Sequence, residues 1–190
     1  LGMFIDCEYP MIATARLSGM MLDYPKLLDK GIGGLRSDLL EKLKEQPDNN
    51  FYKAGIQCLD IFVDCASHLQ QDARDQMASA DEKRQKELER ICQALENIKE
   101  KKPGTFHEAM QLFWLFALLA GVINYGRLDD YLGPYLVADL KSGRLTDEEA
   151  YRYIHSLWTM IENRRTTVNG RIIVGGKGRK HPKEADVFLH

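Results

Sequence analysis

Apolar positions along this chain recur mostly every three or four residues, the period of one helix face. Across 51–79, Ile56, Leu59, Phe62, Val63, Ala66 and Leu69 share a face while acids and amides fill the other. That predicts a long amphipathic helix. Before it, 1–34 is irregular apart from a short helix at 24–30 stopped by Gly31, and a second helix at 35–45 closes at Gln46-Pro-Asp-Asn-Asn50. Ser79-Ala-Asp-Glu82 carries the S-x-x-E capping pattern and opens a helix to about residue 100. Thr105-Phe-His-Glu108 and Thr146-Asp-Glu-Glu149 repeat that pattern, the latter starting a helix to about residue 165. Only 171–174 reads as a strand, β-branched and bounded by Asn169-Gly170 and Gly175-Gly176, with a further helix from Pro182. The expected fold class is mainly α with one or two short strands.

The run 109–123 departs from this amphipathic pattern. Only Gln111 and Gly121 interrupt its apolar residues, which include Phe113, Trp114 and Phe116. A spanning helix needs ~20 such residues, so the run is too short to cross a bilayer. A helix apolar all round has no face for water and must be enclosed by protein. The amphipathic neighbours can cover it only in part, so further chain or a partner subunit is expected against it. The chain starts without methionine and stops inside a helical pattern at 183–190. We therefore expect a piece of a longer protein.

Composition narrows the function classes. The 190 residues are 44% hydrophobic with seventeen aromatics (7 Phe, 8 Tyr, 2 Trp), enough for a core. Lys plus Arg total 26 against 28 acids, a net charge of −2, so no global basic field favours nucleic acid. The charge is uneven, because 164–190 carries a net +5 and the first 163 residues −7. Cys7, Cys58, Cys65 and Cys92 form no C-x-x-C pair and no zinc-ribbon spacing. Cys58 and Cys65 lie ~10 Å apart along a helix, too far to bridge. The four read as buried thiols in a reducing, cytoplasmic compartment.

Three stretches could carry chemistry. His107-Glu108-Ala-Met-Gln111 misses H-E-x-x-H because an amide replaces the second imidazole, so no metal site is expected. Glu108 is better explained as the capping partner of Thr105. The strand at 171–174 feeds a basic, glycine-rich turn whose amides could hold an anion. Gly170 and Gly175 have the P-loop separation, but Gly176 stands where lysine is required, and a plain glycine turn is the simpler reading. In 124–135, Arg127 precedes Asp129 by two residues, and Tyr131 and Tyr135 lie one helical turn apart. A structural ion pair between Arg127 and Asp129 is expected, because an unpaired buried charge is costly.

The order of motifs resembles the pyruvate formate-lyase-like glycyl radical enzymes. Pro103-Gly-Thr-Phe-His-Glu-Ala-Met-Gln-Leu-Phe-Trp114 resembles that family's P-x-T-F-x-E-A-[LM]-Q-L-x-W helix. Gly126-Arg-Leu-Asp-Asp-Tyr-Leu-Gly-Pro-Tyr135 resembles G-R-[FL]-D-Q-Y-L-x-P-Y. Asp139-Leu-Lys-Ser-Gly-Arg-Leu-Thr-Asp-Glu-Glu-Ala150 and Asn169-Gly-Arg-Ile-Ile-Val-Gly-Gly176 follow in the family's order. Upstream, Leu22-Asp-Tyr-Pro-Lys-Leu-Leu-Asp-Lys-Gly31 matches the stretch after its G-H-x-x-P.

The resemblance implies part of a ten-stranded α/β barrel, with 1–165 mostly helical and 166–190 supplying a strand, a glycine-rich turn and the start of a helix. It implies an anaerobic enzyme with a backbone glycyl radical, installed by a radical-SAM activating enzyme. That radical draws hydrogen from a loop cysteine, whose thiyl radical then acts on a small-molecule substrate. A homodimer is expected too. None of the four cysteines sits in a G-C-x-E loop and there is no R-V-x-G-[YF] motif, so no catalytic residue and no cofactor is expected within this segment. Two departures bear on substrate. Gly19 replaces the histidine of G-H-x-x-P-D-Y, and Gly121 and Val122 replace the His-Ser pair that contacts polyols. The candidate cavity-wall residues are Gly19, Met20, Gly121, Asn124 and Tyr125; Thr105, Glu108, Trp114, Arg127, Asp129 and Tyr131 are the candidate structural ones. The expected function is a portion of a glycyl radical lyase, dehydratase, decarboxylase or acyltransferase-like enzyme, inactive alone and not glycerol-directed. The alternative is a non-catalytic helical scaffold that keeps the family's packing.

Overall fold

The computed structural model describes residues 21–164 and 170–189. Gly19, Met20 and Cys7 lie outside them. Seven helices and two short strands are described: α1 (Tyr24–Glu45), α2 (Asn50–Met77), α3 (Glu82–Ile98), α4 (Phe106–Leu119), β1 (Asn124–Gly126), α5 (Leu128–Lys141), α6 (Asp147–Asn163), β2 (Arg171–Ile172) and α7 (Pro182–Leu189). They form two compact units, one of residues 23–116 and one of the remainder.

In the first unit, the two helices expected at 24–30 and 35–45 are one element kinked at Gly31, whose φ is 65° and ψ 178°. The kink brings the backbone so close to the end of the α3 connection that a Cβ on Gly31 would stand 2.6 Å from the amide nitrogen of Lys102. Gly33 donates to the Glu100 carbonyl at 3.1 Å in the same close approach. Tyr24 and Phe113 meet edge to face at 4.9 Å, and Phe62 lies 5.9 Å from Phe116. Tyr24, Phe62, Phe106 and Phe113 are buried, each of order 2–3 kcal/mol of apolar transfer.

The helix after residue 79 begins later than the S-x-x-E pattern indicates. Asp81, not Ser79, is its N-cap and accepts from the Arg84 amide at 2.8 Å. Its carboxylate outcompetes a hydroxyl two residues earlier because it also favours the positive end of the helix dipole. Beyond that cap, Ala73, Leu88 and Cys92 form a small cluster between α2 and α3. The buried Gln70 amide donates to the Cys92 carbonyl and accepts from Lys99 Nζ, both at 2.9 Å. Of the thiols expected inside, Cys92 is buried, Cys65 half-buried and Cys58 exposed.

The apolar run is better enclosed than its neighbours' amphipathicity suggested. Phe106, Ala109, Leu112, Phe113 and Ala117 are fully buried by the chain itself, while Trp114 and Phe116 are half-buried and Leu118 and Leu119 exposed. The helix also ends at Leu119, not at residue 123. Gly121 turns the chain with φ 65°, and 124–126 continues as β1, a strand not expected there. No helix among the described residues is long and apolar enough to cross a membrane.

In the second unit β1 pairs in parallel with β2, Asn124 opposite Arg171 and Gly126 opposite Ile172. Met21 pairs in parallel with Asn124 on the other side, so three extended segments run the same way. Such pairing needs long crossover connections, which the helices supply. At α6 Thr146 and Glu149 complete their capping box in both directions. Gly133 of α5 lets α7 approach so closely that a Cβ there would stand 2.8 Å from the Glu184 carbonyl.

Candidate functional site

The site is built where the three parallel segments end and α5 begins. Gly126, with φ 62°, turns the chain out of β1 directly over the Met21 sulfur, which a Cβ would meet at 2.7 Å. Arg127 is the residue before α5 and carries no side-chain cap. Its guanidinium donates to the carbonyl oxygens of Gly175 at 3.0 Å and Lys177 at 2.9 Å. Asp129, fully buried, accepts from the Gly175 amide at 2.7 Å. The expected Arg127–Asp129 ion pair is therefore not made. Residues two apart at a helix start do not face one another, and each reaches the glycine-rich turn instead.

Asp130 completes this grip, accepting from the amides of Lys180 at 3.1 Å and His181 at 2.8 Å. These amides lie at the start of α7, where orphan N–H groups and the dipole favour an anion. The anion is the chain's own carboxylate, so these donors are not available to a phosphate. Arg179 lies with Nη1 4.0 Å from Asp129 Oδ2, bonds to Asp186, and donates to the Gly176 carbonyl at 3.1 Å. Bonding to Asp186 raises the Arg179 pKa above its ordinary value. Asp129 Oδ1 meets no donor among the described residues. Four side chains thus fix both polar edges of the 175–181 turn, which the three positive-φ glycines Gly175, Gly176 and Gly178 let bend.

On the covered face of β1, Tyr125 is wholly buried. Its hydroxyl accepts from Arg164 Nη1 at 2.8 Å, which also donates to the Val122 carbonyl at 2.7 Å. A Cβ at Gly170 would stand 2.7 Å from the Tyr125 ring and 2.9 Å from Ile161. Tyr131 donates to the Tyr125 carbonyl at 2.7 Å, holding β1 against α5. Tyr125 is thus an interior side chain, whereas its neighbour Asn124 is half-exposed, with Oδ1 accepting from the Gly126 amide at 3.3 Å. Gly121 sits in the turn between α4 and β1.

Thr105 and Glu108 belong to the first unit. Thr105 Oγ1 accepts from the Glu108 amide at 3.2 Å, while Glu108 reaches the Gly104 amide and Asn97, each at 2.7 Å. Burial pushes the His107 pKa below its ordinary value, partly opposed by Glu108 and reinforced by Arg90. Among the described residues no group of three His, Cys, Asp or Glu could hold a metal ion. The residues that sequence reasoning missed are Asp130, Arg164 and Arg179. Only Asp130 had a local signal, as the second of two adjacent acids in a first helical turn; Arg164's partners lie about forty residues away, and Arg179 meets Gly176 and Asp186 through a glycine turn whose shape no periodicity marks.

The described residues are mainly helical, as expected, with two short parallel strands whose ends are clamped by a glycine-rich loop. The family described as pyruvate formate lyase-like matches residues 7–183, and the chain belongs to it. It is 28% identical over 190 residues to a probable dehydratase, YbiW, of Escherichia coli, covering 84% of this chain and 23% of that protein. It is 27% identical over 153 residues to an isethionate sulfite-lyase of Nitratidesulfovibrio vulgaris, covering 72% of this chain and 18% of that enzyme. The crystal structure of a glycyl radical enzyme from Archaeoglobus fulgidus superposes with a TM-score of 0.66 at 25% identity, covering 74% of this chain and 20% of that one. The chain thus spans about a fifth of the length of the relatives it matches.

Proposed function

We propose that these residues are part of a glycyl radical enzyme acting on a small molecule other than a glycerol-like polyol. The observation that carries the reading is the parallel register of Met21, Asn124–Gly126 and Arg171–Ile172, in a chain of this family. The parent chain would carry the glycyl radical, which supplies hydrogen-atom abstraction. The residues in hand would supply packing helices and one wall of the cavity, and would be inactive alone. Gly19, Met20, Gly121 and Asn124 are the proposed wall residues; Tyr125 supports the wall from behind. Small or apolar residues at 19, 121 and 122 would remove polar contacts that a polyol uses. A radical-SAM activating enzyme is the proposed partner, and a homodimer the proposed assembly. An enclosed cavity suits this chemistry because it keeps reactive species from solvent.

The test is anaerobic activation of the full-length protein with an activating enzyme and S-adenosylmethionine, read by electron paramagnetic resonance. A glycyl radical signal is expected, and residues 1–190 alone should give neither signal nor turnover. Full-length sequence without the loop cysteine and the glycine motif, or turnover by 1–190 alone, would overturn the reading and favour a non-catalytic scaffold in the first case.

A further inference from the structure

Two buried acids in the second unit are met very differently by arginine. Asp139 accepts from Arg144 twice, from Nε at 2.9 Å and from Nη2 at 2.8 Å. Asp129 is buried more deeply, yet among the described residues its Oδ1 meets no donor and its Oδ2 takes only the Gly175 amide, at 2.7 Å. A carboxylate left half-met away from water is costly, so the missing donor calls for a source.

The charges around it narrow that source. Arg127 is committed to the Gly175 and Lys177 carbonyls, and Asp130 to the Lys180 and His181 amides. Arg179 is the one cation within 4.0 Å of Asp129 among the described residues, its Nη1 at that distance from Oδ2. Its Nε bonds to the Gly176 carbonyl, and its Nη1 to Asp186 and to the Pro182 carbonyl. Its Nη2 bonds to nothing among the described residues. One guanidinium nitrogen and one carboxylate oxygen are thus left over in a single cluster.

Bringing them together asks for little movement. A shift of about 1.1 Å would shorten the 4.0 Å gap to a charge-assisted bond of ~2.9 Å. Gly175, Gly176 and Gly178 all have positive φ, and nothing lies within 4 Å of where a Cβ would stand on any of them. The backbone leading to Arg179 therefore has both the latitude and the room to carry it inward. Most of the dehydration is already incurred, because the Arg179 side chain is only 13% exposed. The present pair is with Asp186, whose side chain is 56% exposed, and water and salt weaken a pair of that kind.

We propose that the 175–181 turn is a strap with a second, tighter position, in which Arg179 leaves Asp186 and closes as a two-pronged ion pair on Asp129. Asp186 is the pin that holds the strap open. In the closed position Nη1 and Nη2 meet the two carboxylate oxygens, no oxygen of Asp129 is left over, and the turn is tied more firmly to the start of α5.

The test uses the full-length protein and needs no radical. Asp186→Asn removes the charge of the pin, and a crystal structure of that variant should show Arg179 on both oxygens of Asp129. Hydrogen exchange in peptides covering 174–181 should slow by about twofold to fivefold, the shift an exposed ion pair can exert. Peptides covering 59–73, in the other unit, should be unchanged. Arg179→Lys keeps the charge but cannot fork, so adding it to Asp186→Asn should abolish the slowing. Asp129→Asn should abolish it too; if that buried substitution does not fold, the lysine variant decides alone. The proposal is overturned if Asp186→Asn leaves exchange at 174–181 unaltered or faster, if Arg179 stays off Asp129 in that variant's structure, or if the slowing survives Arg179→Lys.

Discussion

Replacing Gly133 by alanine sets two effects of opposite sign against each other. Within a helix, alanine is favoured over glycine by about 0.8–1.0 kcal/mol. At this position, however, the new methyl carbon would stand 2.8 Å from the carbonyl carbon and oxygen of Glu184 and 3.0 Å from the Ala185 nitrogen. These are main-chain atoms in the first turn of α7, so no rotamer change relieves the contact. To reach an ordinary carbon separation of ~3.5 Å, α7 must retreat by about 0.7 Å. That retreat also stretches the bonds from Lys180 and His181 to Asp130. Overpacking of this kind costs ~1–3 kcal/mol, and an unyielding backbone belongs at the upper end. After the propensity gain, the net loss should be about 2 kcal/mol. Hydrogen exchange of the full-length protein reads it directly, as roughly thirtyfold faster exchange in peptides covering 182–189. Unchanged or slower exchange would show that propensity prevails, and the close α5–α7 packing would then be wrong.

Two further perturbations probe the units separately. Arg164→Met removes the donor shared by the Val122 carbonyl and the Tyr125 hydroxyl, and should cost ~1–3 kcal/mol; adding Tyr125→Phe should cost less in that background than alone, and strict additivity in denaturant melts would refute the bond. For His107 the sign follows from its lowered folded-state pKa: neutral His107 contributes fully above the ordinary value of 6.5, and that contribution is lost as pH falls below it towards the folded value. His107→Gln should therefore flatten the acid-side fall in stability between about pH 7 and pH 5, and an unaltered slope in urea melts would count against it.

What could be read from the sequence was set by how locally each feature is determined. The Thr146–Glu149 box lies within one turn, and it forms as its spacing indicates. The kink at Gly31 was visible as a stop but not as a junction, because the packing of Lys102 against it is remote in sequence. β1 was missed because Asn124-Tyr-Gly126 is too short for an alternation to show; the φ of 65° at Gly121 ends the preceding helix before the apolar run does. The site was the least legible part. Arg127 and Asp129 were singled out, but their partners at Gly175 and Lys177 lie 46–50 residues further on.

The outer edge of β2 has a meaning for handling and folding as well. Among the described residues no strand pairs with that side, and Ile173 and Val174 beside it are about half exposed. An open ledge of amides and carbonyls next to greasy side chains invites another chain to zip on. Produced as an isolated piece, this stretch should therefore clump in proportion to its concentration. In a growing polypeptide, the interval before a further strand docks would be the moment when chaperone cover matters most.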